Sequence, residues 1–338
     1  MSKIITGNDA IKIAKEKCLE LLLKLDEICQ EHNISYWIDG GTLLGAVRHK
    51  GYIPWDDDLD VCLTVPDYHK LVLILAEFCK ENNPYILFHG DTGFDYCYNY
   101  FGDISYLVDG IYPVRIDLFP MKMVENTPED IKIDKSWANI ATYYFRGYPK
   151  NRAEILPIHE HLLPHGRNLE QQKNEFFKLY QSHMLDTFDT VDSSGKLMTY
   201  SFNDMLVAKE RDYYYCDSLF PLSSITFEGH SFNAPKDVDQ YLSGLYSNYM
   251  DLPPLDHRVP QLTTIHKNDL SKQQIKAFFE SFFKMMLYKN IATARHNSKW
   301  RVIWINVISF IGLYSKLVLK LQFKSARNFL RFAKARNQ

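Results

Sequence analysis

Apolar residues step by three and four from Ile11 through Ala14, Cys18, Leu21 and Leu25 to Ile28, which predicts an amphipathic helix over Asn8–His32 capped by Asn8 or Asp9. The period then changes. Ser35–Ile38 reads as a short strand, Gly40-Gly41 as a tight turn, Thr42–Arg48 as a short helix and Leu59–Val65 as the next strand. Pro66 opens a helix to about Lys80. Strands follow at Tyr85–His89, across the Tyr-rich stretch Asp95–Leu107, and at Tyr112–Phe119. Thr127 caps a further helix, and residues 147–200 are polar and read as an irregular or helical insertion. Strand patterning returns at Ser224–Phe232, with Glu228-Gly229 as a hairpin turn, before helices near Val238–Tyr249 and Lys272–Asn290.

Composition narrows the class. The chain has 338 residues, 46% hydrophobic and 24% charged, enough for a full core and inconsistent with a disordered chain. Twenty-two tyrosines and 21 phenylalanines point to a β-containing core. The six cysteines are scattered without a C-x-x-C pair and no apolar leader precedes the first helix, so we expect reduced thiols in a cytoplasmic protein, with no structural zinc site. The spacing of His159, His161 and His165 is better read as surface histidine in a polar insertion.

The net charge of −2 conceals an asymmetry. Residues 299–338 hold nine Lys or Arg and no acid, leaving 30 basic against 41 acidic residues, or −11, for the rest. An acidic body argues against nucleic acid as a partner.

Four aspartates, Asp56, Asp57, Asp58 and Asp60, fall within five positions. If they run into a strand, Asp56, Asp58 and Asp60 share one face while Asp57 takes the other. Carboxylates at i and i+2 suit a hard divalent cation, magnesium before manganese. Trp55 before and Val61-Cys62-Leu63 after them place the acids on a buried element. Eighteen residues earlier, Gly40-Gly41-Thr42 lies between an apolar strand and a helix, where backbone N–H groups can meet a phosphate. The spacing matches neither a Walker loop nor a dinucleotide fingerprint.

A glycine pair opening a helix, followed by Asp-apolar-Asp on the next strand, resembles the nucleotidyltransferase fold of the DNA polymerase β superfamily. The longer string DGGTLLGAVRHKGYIPWDDDLDV is similar to the LicD family of bacterial phosphocholine transferases, relatives of fukutin and fukutin-related protein. VRIDLFP (114–120), FPLSSITFEGHSFNAP (220–235) and YLSGLYSNYMDLPP (241–254) carry the resemblance to about residue 265. It implies an α+β fold, a mixed sheet flanked by helices with a helical insertion and C-terminal helices. It also implies a catalytic domain, placed over 1–295; the charge pattern, not the resemblance, sets off a basic amphipathic segment over 296–338. The implied reaction takes a phospho-alcohol from a CDP-linked donor, CDP-choline in the best-known case, to a sugar hydroxyl of a surface glycan and releases CMP. By the same resemblance Asp58 and Asp60 are the main metal ligands, Asp56 an additional one, and Asp117 the carboxylate from a neighbouring strand. Asp117 or Asp56 is the general base, and Gly40, Gly41, Thr42, Arg48, His49 and Arg258 bind the donor. Tyrosines 96, 98, 100, 106 and 213–215 are candidates for a cation cage.

Two alternatives remain open at this level: nucleotidyl transfer with release of pyrophosphate, and an inactive glycan or membrane scaffold. Val302–Ser315 is uncharged but too short for a spanning helix. The interleaved basic and apolar residues after it fit a helix lying on an anionic membrane surface, or one packed on the acidic body; on the first reading we expect a peripheral protein at the inner face of the membrane.

Overall fold

A computed structural model describes residues 4–89, 99–110, 112–146, 152–163, 168–186, 193–201, 213–260, 262, 264–268 and 271–275. Its elements in chain order are β1 Ile4–Thr6, α1 Asn8–Glu31, β2 Tyr36–Ile38, α2 Gly40–His49, β3 Asp60–Thr64, α3 Val65–Glu81, β4 Tyr85–His89 and β5 Asn99–Val108. There follow β6 Tyr112–Val124, α4 Pro128–Arg146, α5 Leu169–Asp186, β7 Leu197–Tyr200, β8 Tyr214–Tyr215, α6 Cys216–Leu219, β9 Ser223–Phe227, β10 His230–Ala234, α7 Val238–Tyr246 and β11 Thr264–Lys267. Two 3-10 turns, Arg152–Glu154 and Pro157–Leu162, lie between α4 and α5.

The expected α+β class holds. Nine of these strands form one mixed sheet along the path β1-β11-β5-β6-β3-β2, with β4 on β5, β7 on β6 and β8 on β7. Among the described residues only the β3/β6 pair is parallel; the other ladders are antiparallel. That pair decides the site, because its register sets Asp60 beside Asp117. The α1 helix buries Ala14, Cys18, Leu21, Leu25 and Ile28 as its periodicity predicts, and packs across β5, β6 and β11. A second apolar cluster joins α4 and α5 to Ile86, Phe88 and Tyr100.

Four expectations change. Gly7, with φ +65°, caps α1 and accepts from the Ala10 N–H through its carbonyl, displacing Asn8 and Asp9. Gly40-Gly41 is the first turn of α2, because the Leu43 N–H already donates to the Asp39 carbonyl at 3.0 Å. The end of the polar stretch 147–200 is strand β7, which extends β6 from Met121 to Val124. The α7 helix stops at Tyr246, since Ser247 takes φ +55°. Thr127 does cap α4, accepting from the Asp130 N–H at 3.1 Å, and Glu228-Gly229 does turn the β9–β10 hairpin, with φ +49° and +80°.

Tyr96, Tyr98, His165, residues 276–290 of the last expected helix and the basic segment 296–338 fall outside the described residues. Among the described residues no helix is long and apolar enough to cross a membrane.

Candidate active site

The acids lie on a loop gripped at both ends. At its start the Lys15 ammonium donates to the carbonyls of Ile53 and Pro54 at 3.0 and 3.1 Å, and the Tyr52 N–H donates to Glu228 Oε1 at 2.9 Å. At its end the Asp60 N–H donates to Thr42 Oγ1 at 2.8 Å, and the Asp117 N–H donates to the Leu59 carbonyl at 2.9 Å. The aspartates are therefore fixed by backbone contacts that use none of the side chains of Asp56, Asp58 and Asp60.

Strand β3 begins only at Asp60, so the loop before it is not bound to strand alternation. Among the described residues, Asp56, Asp57 and Asp58 form the one group of three whose ligand atoms lie within 4.8 Å of one another. Asp57, assigned by alternation to the far side, joins this group. Its Oδ2 also accepts from the Leu262 N–H at 2.6 Å. Asp60 and Asp117 lie alongside, paired by register, with Arg115 Nε donating to Asp117 Oδ1 at 3.3 Å. Burial, then the charge of Asp58, pushes the Asp56 carboxyl up to about 8, and the two are joined by a side-chain hydrogen bond. Burial followed by the charges of Asp58, Asp117, Asp56 and Asp39 holds Asp60 well above the usual carboxylate range. Carboxyls that must keep their protons are short of positive charge, and a divalent cation supplies it. The donor set, all oxygen and all acidic, fits magnesium or manganese.

The glycine pair has a steric reason. A Cβ on Gly40 would stand 2.8 Å from Asp60 Oδ2, and one on Gly41 would stand 2.5 Å from Asp56 Oδ2. Gly40 also holds φ +51°, where side chains are disfavoured. The start of α2 therefore reaches the carboxylates only because two side chains are missing, and its first N–H groups are brought to the same place.

The remaining predicted residues are used differently. Thr42 is buried and spends its hydroxyl on the Asp60 N–H, so it anchors the acid strand. Arg48 donates through Nη1 to the carbonyls of Tyr249 and Asp251 at 3.0 and 3.2 Å, and through Nε to His49 Nε2 at 3.0 Å. It straps the loop after α7 over the site. Burial, then Arg48 and Lys15, lowers His49, which here accepts a hydrogen bond instead of offering charge to a phosphate. Arg258 donates through Nε to the Pro253 carbonyl at 2.7 Å, with its guanidinium 5.5 Å from the Trp55 ring. The described tyrosines do not gather as a cage. Tyr100 carries the Arg115 guanidinium 4.5 Å from its ring, Tyr214 packs on Tyr241 at 4.5 Å, and the Tyr213 hydroxyl donates to Asp134 at 2.7 Å. His159 contacts Ser136 at 2.7 Å and stacks near Trp137.

Sequence reasoning missed four groups here. Asp39, only 2% exposed, caps α2 without a side-chain bond to the helix. Its carboxylate accepts instead from the hydroxyls of Tyr200 and Tyr241 at 2.5 and 2.7 Å and from the Cys62 thiol at 3.0 Å. Arg115, held between the rings of Tyr100 and Tyr112, is the guanidinium beside the acids. Burial opposes its charge, but Asp117, Tyr100 and Asp58 outweigh that and keep it protonated. The Tyr246 hydroxyl is raised by burial and then by the field of Asp60, Asp39, Asp56 and Asp58. Lys15 reaches Asp56 and Asp57 from α1. Asp39 and Arg115 were readable in principle, beside the glycine pair and two residues before Asp117; for Lys15 the sequence offers no signal.

Half-buried carboxylates thus gather around the first turn of a helix opened by two glycines. Residues 33–145 match the family described as LicD/FKTN/FKRP, nucleotidyltransferase domain. The chain is 26% identical over 268 residues to the lipopolysaccharide cholinephosphotransferase LicD of Haemophilus influenzae, covering 72% of this chain and 92% of that protein. An uncharacterised protein of Rickettsia typhi is 40% identical over 98 residues, 25% of this chain and 32% of its own length. The human ribitol 5-phosphate transferase FKRP is 42% identical over 40 residues, 12% of this chain and 8% of its own.

Proposed function

We propose that the protein is a magnesium-dependent transferase that moves a phospho-alcohol, phosphocholine in the first instance, from a CDP-linked donor to a sugar hydroxyl of a surface glycan. The observation that carries this reading is the surplus of carboxylates at the two glycines: among the described residues Asp56, Asp57, Asp58, Asp60 and Asp117 have Arg115 and Lys15 as neighbouring cations. Its support from relatives is that LicD is named a cholinephosphotransferase and FKRP a ribitol 5-phosphate transferase. The nucleotidyltransferase-type fold is part of this proposal.

In the reaction the sugar oxygen forms a bond to the phosphorus that bears the alcohol, the bridging P–O bond breaks, CMP leaves with the electron pair, and the hydroxyl proton passes to Asp56 or Asp117. Asp56, Asp58, Asp60 and Asp117 would hold the cation, with Asp57 beside them. When bound, it neutralises phosphate charge and stabilises the leaving oxygen. The α2 N-terminus turns N–H groups toward the phosphates, and Arg115 offers positive charge as negative charge spreads over the transferring group. Asp39, clamped by two phenols, keeps the helix start in register with Asp60.

Calorimetry with CDP-choline, CDP-glycerol, CTP and ATP, with and without magnesium, tests the reading. Magnesium-dependent binding of one CDP-alcohol, lost in Asp58→Ala, is expected, together with CMP as the product. Preference for CTP and release of pyrophosphate would establish nucleotidyl transfer instead. Absence of nucleotide binding by folded protein would leave the scaffold.

A further inference from the structure

Next to the acid loop, on its α1 side, lies an open groove of about 610 Å3 that none of the four clustered aspartates lines. Its volume is in the range of small-ligand pockets, roughly 300–1,000 Å3. Its walls come from four parts of the chain: the face of α1 bearing Ile11 and Lys15, the segment Tyr52–Trp55, the hairpin turn with Glu228, and Arg258 with Pro260.

These walls are held in place before any ligand arrives. Lys15 is tied to the Ile53 and Pro54 carbonyls, and the Tyr52 hydroxyl donates to the Lys15 carbonyl at 2.8 Å. Arg258 is tied through Nε to Pro253. Its terminal N–H groups have no hydrogen-bond partner among the described residues, and neither does Glu228 Oε2. Thus two fixed side chains, one a donor and one an acceptor, border a groove whose other wall is the Trp55 indole.

We propose that this groove is the acceptor subsite and that it binds a pyranose ring; this rests on the transferase reading above. Sugar hydroxyls both donate and accept, so a site for them needs both kinds of group beside an apolar surface for the C–H face. Arg258, Glu228 and Trp55 supply these three. A nucleotide diphosphate fits the same walls poorly. Glu228 would repel it, and the nearby Lys12 is already opposite Glu16 at 3.8 Å.

Position supports the same assignment. Asp56 Oδ2 lies 2.5 Å from a Cβ placed at Gly41, while the ammonium of Lys15 sits on the Ile53 and Pro54 carbonyls just before the acids in the chain. Phosphoryl transfer places attacking and leaving oxygens roughly in line. With the donor phosphates at the α2 N-terminus, the attacking hydroxyl enters from the flank away from the glycines, where Trp55 joins Asp56 directly in the chain.

Saturation-transfer NMR with methyl glycosides of glucose, galactose and N-acetylgalactosamine at millimolar concentration tests this on the full chain without donor. At least one glycoside should receive saturation from the wild type. That signal should weaken at least tenfold in Trp55→Ala and in Arg258→Ala, recover in part in Trp55→Phe, and persist when CMP is added. Magnesium-dependent binding of CDP-choline should change less than twofold in Trp55→Ala, which also shows that the variant is folded. No glycoside binding, equal binding by both alanine variants, or displacement by CMP would overturn the assignment; the last would make the groove a nucleotide site. If the glycoside signal behaves as expected while no CDP-alcohol binds the wild type, the transferase reading falls and the saccharide groove stands.

Discussion

Two groups of wholly or partly buried ionisable residues are opposites in charge balance. Between β6 and α4, Lys122 and Asp134 form an ion pair with side chains 1% and 3% exposed, and the Tyr213 hydroxyl completes the carboxylate at 2.7 Å. On the other side of the β3/β6 ladder, Asp56, Asp57, Asp58, Asp60 and Asp117 share Arg115 and Lys15. The first cluster is neutral and internally satisfied, as a structural element must be when desolvation costs several kcal/mol per ion. Among the described residues the second holds more carboxylates than cations, and this surplus is what the proposed cation would offset.

The largest expected effect separates the two clusters by stability. Lys122→Ala strands Asp134 in the interior and should cost about 3–5 kcal/mol in denaturant unfolding. Asp58→Ala removes a repelling charge and should leave the metal-free protein as stable as the wild type or more so, while abolishing magnesium-dependent nucleotide binding. Equal destabilisation by both would erase the contrast.

A second prediction concerns pH. Asp56 is raised to about 8 by burial and by Asp58, and Asp60 is raised as well. Between the ordinary carboxylate pKa, roughly 4, and these values the native state binds more protons than the unfolded chain. Metal-free protein should therefore lose thermal stability as pH rises from 5 to 8. Saturating magnesium should flatten that decline, because it binds the deprotonated acids. A flat profile without metal, followed by scanning calorimetry, would mean that the acids are already compensated.

The smallest effect tests the link between the acids and the helix start. Tyr241→Phe removes one of the donors to Asp39 and should cost about 1 kcal/mol, since Tyr200 and Cys62 still donate. Magnesium affinity should fall only a few-fold. A loss as large as that of Asp58→Ala would make Asp39 part of the cation site itself.

The residues show how far the sequence could be read. The α1 stripe, the β9–β10 turn and the Asp-rich segment were all legible, because each is a local pattern whose meaning survives in isolation. What the sequence did not show are contacts between residues distant in the chain. Arg48 looked like a phosphate ligand, yet it grips carbonyls some 200 positions away. Tyr100 looked like part of a cation cage, yet its ring is taken by Arg115. Asp57 looked excluded by alternation, yet the loop is not strand and Leu262 turns its carboxylate.

The sequence by itself determined the elements, the acidic loop and the glycine pair, since these follow from periodicity and from residue types with few other uses. Only the tertiary structure decided that Asp60 meets Asp117 across a parallel ladder, and that Tyr200 and Tyr241 converge on Asp39. It also decided that α1, a hairpin turn and Arg258 enclose a groove beside Trp55. Those juxtapositions join residues up to about 250 positions apart, and no local propensity encodes a distance of that kind; burial of the shared core fixes it.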